Sequence, residues 1–174
     1  MFSRGRPRQL ETEQELYDVA LRALMRRAHS VQEMQKKLLR YTRNELLVGV
    51  VMARLKENGQ LDDARYAQQF ARNRTESRKQ GQFRIARELR ARGVGDADIN
   101  SALESSSAEA DPALLVGQRI ERKLKSFRGE IDQRKIASIY GSLLRAGFPA
   151  DLIRSVLKQH TRVAVPDNDP SRSE

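Results

Sequence analysis

The chain has 174 residues, of which 39% are hydrophobic and 5% aromatic, so it can bury a lean core of mainly aliphatic side chains. Its 33 Lys and Arg against 23 Asp and Glu give a net charge of +10, which favours polyanionic partners. Cysteine is absent, which excludes disulfides, thiolate metal sites and cysteine nucleophiles. No run approaches the ~18 apolar residues of a membrane helix, and we expect a cytoplasmic protein.

The two ends of the chain are poor in apolar residues. Residues 1–11 are a basic segment with three arginines around a glycine and a proline, and they lack the apolar stretch of a secretory signal. Residues 161–174 are polar and rich in Asp, Ser and Pro. Neither segment can bury enough apolar surface to offset the entropy of ordering. We therefore expect a flexible basic arm at one end and a disordered tail at the other.

Between these ends, the sequence predicts an all-α fold in three rounds of three helices. The first round covers residues 12–60, the second 61–105 and the third 111–160, and a small polar linker runs from Ser105 to Ala110. Side chains that can cap a helix N-terminus precede the apolar stripes. These predicted N-caps are Thr12, Ser30, Asn44, Asp62, Asp96, Asp111 and Asp132. The predicted helix stops are Gly59, Gly93 and Gly147.

The last two rounds match each other residue by residue. Four positions recur 54 residues later in the chain: Leu89, Gly93, Ile99 and Leu103 as Leu143, Gly147, Ile153 and Leu157. Such a period indicates an elongated tandem array of three three-helix repeats, in which each unit packs on its neighbours. The alternative is a nine-helix globule with accidental similarity. A repeat array favours long binding faces over deep pockets.

Residue patterns typical of catalysis are missing. The sequence contains no phosphate-binding P-loop, no serine nucleophile elbow and no zinc-protease H-E-x-x-H motif. The histidines, His29 and His160, are far apart in sequence, and Asp62 with Asp63 fits a helix cap better than an acid–base pair. We therefore expect no catalytic, cofactor or metal site, and the hypothesis of an enzyme is the least favoured.

Basic residues concentrate in two segments. Between Arg65 and Arg92 there are nine basic residues and only two acids. A solvated helix face with cations answering the helix dipole explains part of this charge, but the excess of Arg favours a surface that binds phosphates or carboxylates. The predicted basic face comprises Arg65, Arg72, Arg74, Arg78, Lys79, Arg84 and Arg87. A second cluster comprises Arg119, Arg122, Lys123 and Lys125.

Several segments of the chain resemble the RecX family. Arg27–Leu38 is similar to the family's R-x-H-S-x-x-E-L-x-x-K-L signature, with Met34 in place of the usual Leu, and Leu61–Phe70 is similar to L-D-D-x-R-F-A-x-x-F. Arg84–Leu89, followed by Gly93-Val94, resembles a third family segment. The resemblance covers about residues 13 to 158, and two motifs in the right order are more specific than either alone.

The resemblance implies regulation without chemistry. RecX-like proteins bind the helical groove of the filament that the RecA recombinase forms on single-stranded DNA, and they lower its ATP hydrolysis and strand exchange. A monomer that contacts DNA mainly through the filament is therefore expected. The charge alone leaves a second hypothesis open, an autonomous helical nucleic-acid-binding protein such as a transcription or RNA factor.

Overall fold

The computed structural model describes residues 9–161, and this part of the chain contains nine α-helices and no strand. They are α1 (Glu13–Arg26), α2 (Val31–Leu38), α3 (Glu45–Glu57), α4 (Asp63–Arg78), α5 (Gln82–Arg90), α6 (Asp96–Glu109), α7 (Pro112–Ser126), α8 (Gln133–Arg145) and α9 (Ala150–His160). The predicted all-α fold is confirmed. Most of the predicted arm and tail, residues 1–8 and 162–174, lies outside the described residues. None of the described helices has the length and apolar character needed to cross a membrane.

Helix starts follow the predicted capping side chains. The Ser30 hydroxyl accepts a hydrogen bond from the backbone N–H of Glu33 at 3.1 Å, and the Asp132 carboxylate accepts one from Lys135 at 2.8 Å. Side chains that cap in the same way are Thr12, Asn44, Asp62 and Asp111. The prediction for Asp96 is corrected: this residue is the first of α6, and its carboxylate binds Arg90 Nε at 2.7 Å.

The predicted linker from Ser105 to Ala110 is wrong for most of its length, because α6 continues to Glu109. Serine has only moderate helix propensity, but tertiary contacts override it here. The buried Ser106 hydroxyl lies 2.8 Å from the Thr75 hydroxyl of α4, and Ser105 bonds back to the Ser101 carbonyl within the helix. A hydrogen bond to a distant helix cannot be read from local composition.

The predicted glycine stops recur with the same geometry. Gly93 and Gly147 have φ angles of 76° and 92°, which an L side chain rarely adopts. After Gly93, the N–H of Val94 returns to the Leu89 carbonyl at 3.2 Å, and after Gly147, the N–H of Phe148 returns to Leu143 at 3.3 Å. These equivalent stops support the tandem three-helix repeat. The exact repeat boundaries stay a prediction.

The described residues form two compact units. The first contains the described residues up to Ala67 together with Leu89–Ile99, and the second contains Gln68–Glu88 together with the described residues from Asn100 onward. Each has an aliphatic core of its own. Fully buried side chains in the first core include Leu16, Met34, Leu38 and Leu55, and those in the second include Ile120, Ile139, Leu143 and Ile153.

Candidate functional site

The two signature segments that resemble a known family contact each other in the first unit. The Asp63 carboxylate accepts a hydrogen bond from the N–H of Val31 at 2.8 Å, and burial raises the pKa of this carboxyl group, while the Val31 N–H opposes the rise. The Ser30 hydroxyl donates to the Arg92 carbonyl at 2.6 Å. His29 is buried, and burial is the main cause of its lowered pKa. These residues join helix ends, which is a structural role.

The residues of the predicted basic face are divided between the two units. Arg65 belongs to the first unit and the other predicted cations belong to the second. The backbone N–H of Arg65 donates to the Asp62 carboxylate at 2.9 Å, and its guanidinium donates to the Gly59 carbonyl. Arg65 therefore stabilises the turn before α4, which local sequence gave no reason to expect.

Some of the arginines of α4 are neutralised by carboxylates within the second unit. Arg72 Nε lies 2.9 Å from Glu76 and 3.5 Å from Glu109, and the hydrogen bond to Glu76 is the main cause of its raised pKa. Arg74 Nη2 lies 3.2 Å from Glu88, and its guanidinium stacks 4.7 Å from the Phe70 ring centroid. Because carboxylates of the same unit already bind these two arginines, they are less available to bind an anion of a partner.

The end of α4 contributes backbone rather than side-chain contacts. The Arg78 carbonyl accepts a hydrogen bond from the guanidinium of Arg119 at 2.8 Å. Lys79 has a φ of 50°, the left-handed conformation that lets the chain turn toward α5. The Arg78 side chain is exposed, whereas Lys79 is partly buried.

A shallow cleft on α5 and the end of α8 brings together three arginines, of which only Arg84 is paired with a carboxylate in the described part of the second unit. We call it the arginine cleft; its lining residues are Phe83, Arg84, Arg87, Leu144, Arg145 and Gly147. Arg84 Nε lies 3.0 Å from Glu88. Arg87 and Arg145 are exposed and have no ion pair within residues 9–161. The side chain of Phe83, 61% exposed, provides an apolar edge.

The second predicted cluster adjoins the arginine cleft through Arg119 on α7. Burial is the main cause of the lowered pKa of Arg119, and the positive charges of Arg122 and Arg84 lower it further. No carboxylate within the described range pairs with Arg119, and its buried Nε has no hydrogen-bond partner there. Three guanidinium groups thus raise the local positive potential, which an incoming anion would relieve.

The remaining cations of the predicted second cluster, Arg122, Lys123 and Lys125, are exposed, but they do not all lie on the same face of α7 as Arg119. Lys123 follows Arg119 by one helical turn, whereas Lys125 lies about 120° around the helix from Arg119 at about 100° per residue. Arg145 is not among the predicted site residues, because a lone arginine in the last turn of a helix is ordinarily explained by its interaction with the helix dipole. Only its proximity to α5 marks it as part of a site.

No group of three or more His, Asp or Glu side chains that could hold a metal ion occurs within residues 9–161. The arrangement in the second unit offers positive charge, planar hydrogen-bond donors and an apolar edge. It can bind phosphates or carboxylates on a larger partner.

Both the sequence and the fold of this chain resemble those of known proteins. The family model described as RecX, second three-helix domain, matches residues 62–103. Regulatory protein RecX of Halorhodospira halophila is 39% identical over 156 residues, which cover 89% of this chain and 90% of that protein. Regulatory protein RecX of Pseudomonas putida is 34% identical over 148 residues, covering 85% and 92%. The Oceanobacillus iheyensis protein of the same name is 30% identical, and the match covers 55% of its length.

Two solved structures share the fold. A crystal structure of regulatory protein RecX superposes with a TM-score of 0.74 at 22% identity, covering 84% of this chain and 71% of that one. The crystal structure of RecX from Lactobacillus salivarius gives a TM-score of 0.72 at 20% identity, covering 84% and 95%. At these sequence identities, the similarity shows a shared helical fold alone.

Proposed function

The chain belongs to the RecX family of regulatory proteins, and from that premise we propose that it binds RecA filaments on single-stranded DNA and lowers their ATP hydrolysis and strand exchange. The proposal places the protein in the cytoplasm as a monomer without catalytic activity. It assigns the contact with the filament to the second unit of the chain, at the arginine cleft and the adjoining Arg119 and Arg122.

The observation that carries the assignment is that exposed arginines without an ion pair come together on α5, α7 and the end of α8 within the described part of the second unit. Arg87, Arg122 and Arg145 are exposed and have no ion pair in the described part of the chain, whereas Arg72 and Arg74 are held by internal carboxylates. An unpaired exposed guanidinium can bind a partner's phosphate or carboxylate without first breaking a contact of its own.

Three physical effects would favour the binding of these arginines to a polyanionic filament. Positive potential steers the protein toward a polyanion and increases the rate of encounter. Each phosphate that is neutralised releases condensed counterions, which contributes affinity that decreases as salt increases. The guanidinium fork also binds a phosphate or a carboxylate through two hydrogen bonds. A nucleoprotein filament presents both kinds of anion.

We test the assignment with the triple charge reversal Arg87→Glu, Arg122→Glu and Arg145→Glu. The three side chains are exposed, so the helical circular-dichroism signal should be retained. We expect the concentration that halves recombinase ATPase on single-stranded DNA to increase at least about tenfold, the equivalent of about 1.4 kcal/mol of binding free energy.

The matched control is a second triple reversal with the same change in net charge, Arg22→Glu, Arg26→Glu and Arg43→Glu. These side chains are exposed in the first unit and have no ion pair within residues 9–161. The control should change the inhibitory concentration by less than about threefold, since only long-range steering is weakened. Equal losses in both variants would refute the assignment to the arginine cleft.

The second hypothesis, autonomous nucleic-acid binding, is favoured by one observation: the exposed Phe83 beside the arginines of the cleft. Aromatic side chains with neighbouring cations are typical of proteins on which unpaired bases stack. Co-sedimentation with recombinase filaments, with naked single-stranded DNA as the control and across a salt series, separates the two. Equal affinity for both would favour the autonomous binder.

A further inference from the structure

Helix α3 of the first unit carries apolar side chains on two opposite faces. One face is buried in the core and includes Val48, Val51 and Leu55. On the other face, Leu46 is 84% exposed and Val50 is 52% exposed. A helix that is apolar all round is normally buried on every side. The outer face of α3 is therefore suited to a contact that the described part of the chain does not supply.

Four exposed residues form this outer face, which we call the α3 stripe. Leu46, Gly49, Val50 and Ala53 follow the spacing of three, four and seven residues that places side chains on one side of a helix. A Cβ atom added to Gly49 would meet nothing within 4 Å, so the helix surface has an open recess beside Val50. The stripe thus presents large and small residues side by side.

Two opposite charges lie on one flank of the α3 stripe, at its two ends. Glu45 and Lys56 are both exposed, and neither forms an ion pair within residues 9–161. Their separation in sequence corresponds to about three helical turns, or about 16 Å along the axis, so both side chains leave the helix on the same side. The flank is therefore negative near the start of α3 and positive near its end.

This pattern of charge is complementary to a second copy of itself. When two α3 helices pack antiparallel about a two-fold axis near Val50, the same flank of each helix lies on the same side of the contact. Glu45 of each copy then comes level with Lys56 of the other, and two equivalent ion pairs form. A parallel pair would keep these two residues about 16 Å apart along the axis. The charges therefore favour the antiparallel arrangement.

We propose that two copies of this chain pair antiparallel through the α3 stripe. In this arrangement Leu46 of one copy faces the small Ala53 of the other, and Val50 faces the recess at Gly49. Each large side chain thus meets a small one, and the glycine allows the two backbones to approach closely. The apolar contact and the ion pairs require the same orientation of the two helices.

The contact is small, so the pair is weak. One helix face buries much less than the ~800 Å² per partner of a stable interface, and a net charge of +10 on each copy opposes association. We expect a dissociation constant on the order of 0.5 mM, so that the dilute chain is the monomer of the proposed function. Copies that are concentrated on an anionic polymer would pair, and a pair carries two arginine clefts, which increases avidity.

The inference does not rest on filament binding, because the α3 stripe belongs to the first unit and the arginine cleft to the second. The test is a dilution series of the full chain without recombinase or DNA, from about 20 µM to about 2 mM, followed by ¹H–¹⁵N correlation spectra. We expect concentration-dependent shifts at the four amides of the α3 stripe. Sedimentation equilibrium should show a dimer and no larger species, since a two-fold contact closes on itself.

Exchanging the two flank charges tests the antiparallel arrangement. Glu45→Lys and Lys56→Glu each replace two ion pairs with two like-charge contacts, and each should weaken pairing at least about fivefold. The two changes alter the net charge in opposite directions, so net charge cannot explain a loss in both. The double variant Glu45→Lys/Lys56→Glu restores both ion pairs with exchanged signs. Its dissociation constant should return to within about twofold of the original value.

Leu46→Gln tests the apolar contact, and Leu114→Gln is its matched control. Leu114 is 59% exposed on α7 of the second unit, so the same change there removes apolar surface outside the α3 stripe. Leu46→Gln should weaken pairing at least about fivefold and Leu114→Gln less than about twofold. Both side chains are exposed, so both variants should keep the helical circular-dichroism signal.

Several outcomes would overturn the proposal. Spectra that do not change up to about 2 mM, self-association with shifts confined to residues outside the α3 stripe, or a double charge variant that stays as weak as the single ones each contradict it. Shifts at the stripe that appear only when recombinase filaments are added would assign this face to the recombinase and not to a second copy. Should a charge variant not fold, Leu46→Gln and its control decide the question.

Discussion

Gly81 lies directly against the backbone of Gly147: a Cβ atom added to Gly81 would be 2.3 Å from the carbonyl carbon of Gly147. The contact is reciprocal in effect, because a Cβ on Gly147 would be 2.4 Å from the backbone nitrogen of Arg84. The start of α5 thus packs on the turn after α8 with no side chain between the two backbones. This close approach holds Arg84 and Arg145 at one cleft.

Replacing Gly81 with alanine should therefore destabilise the protein. The clash is with backbone atoms, which cannot move aside as a flexible side chain can, and we expect a loss of about 3 kcal/mol in the free energy of unfolding. The control Gly49→Ala meets nothing within 4 Å in the middle of α3 and should stabilise by about 0.5–1 kcal/mol. Urea denaturation of both variants measures the difference, and a neutral Gly81→Ala would contradict the observed contact.

Ser30→Ala should cost more than an ordinary cap. The Ser30 hydroxyl is fully buried, caps α2 through Glu33 and donates to the Arg92 carbonyl, so its removal leaves two backbone groups without their partner. We expect a loss of about 2–4 kcal/mol. Thr12→Ala removes an exposed cap of α1 and should lose only about 1 kcal/mol. Equal losses in thermal unfolding of the two variants would argue against a special role for Ser30.

Stability should decrease as the pH falls from about 7.5 to about 5. The pKa of His29 is lowered in the folded state, chiefly by burial, so near its ordinary pKa of 6.5 the unfolded chain binds more protons than the folded one. The free energy of unfolding then rises with pH through this window and falls as the pH drops.

The variants His29→Gln and His160→Gln separate this cause from others. The first should remove most of the pH dependence between about pH 5 and 7.5, and the second should retain it. An unchanged slope in His29→Gln, measured by urea denaturation at fixed ionic strength, would assign the effect to other groups.

Glu88→Gln should weaken the fold and strengthen filament binding. Glu88 Oε1 lies 3.0 Å from Arg84 and its Oε2 lies 3.2 Å from Arg74, so neutralising it releases positive charge beside the arginine cleft. We expect a loss of about 1–2 kcal/mol in unfolding free energy, because the partly buried Arg74 loses its carboxylate. The apparent affinity for filaments should increase about two- to fivefold, with a steeper salt dependence.

Glu104→Gln is the matched control for this change. Glu104 is exposed on α6 and forms no ion pair within residues 9–161, so its replacement adds the same charge without releasing an arginine. Its effect on both measurements should be small. Weaker filament binding by Glu88→Gln, with the helical signal intact, would show that the carboxylate positions Arg84 for the partner.

Local physical chemistry made most of the helices predictable. Capping side chains such as Ser30 and Asp132, and stops such as Gly93, act within a few residues of where they stand, so their pattern can be read directly from the sequence. The two signature segments, around Ser30 and Asp62, pointed to the family because their residues and their order can also be read directly from the sequence. The helical structure of most of the Ser105–Ala110 segment could not be predicted in this way. A buried hydroxyl contact with Thr75 accompanies the extension of α6 to Glu109.

The site depended on tertiary structure. The sequence by itself showed where arginines are dense. Only the fold assigned Arg65 to a different unit from the other arginines, paired Arg72 and Arg74 with carboxylates, and placed Arg145 in the same cleft as Arg87. Composition determines how much charge a segment carries, and periodicity determines which helix face is apolar. Whether a given guanidinium is available for a partner depends on which carboxylate lies within about 4 Å of it, and that distance is determined by the packing of helices remote in sequence.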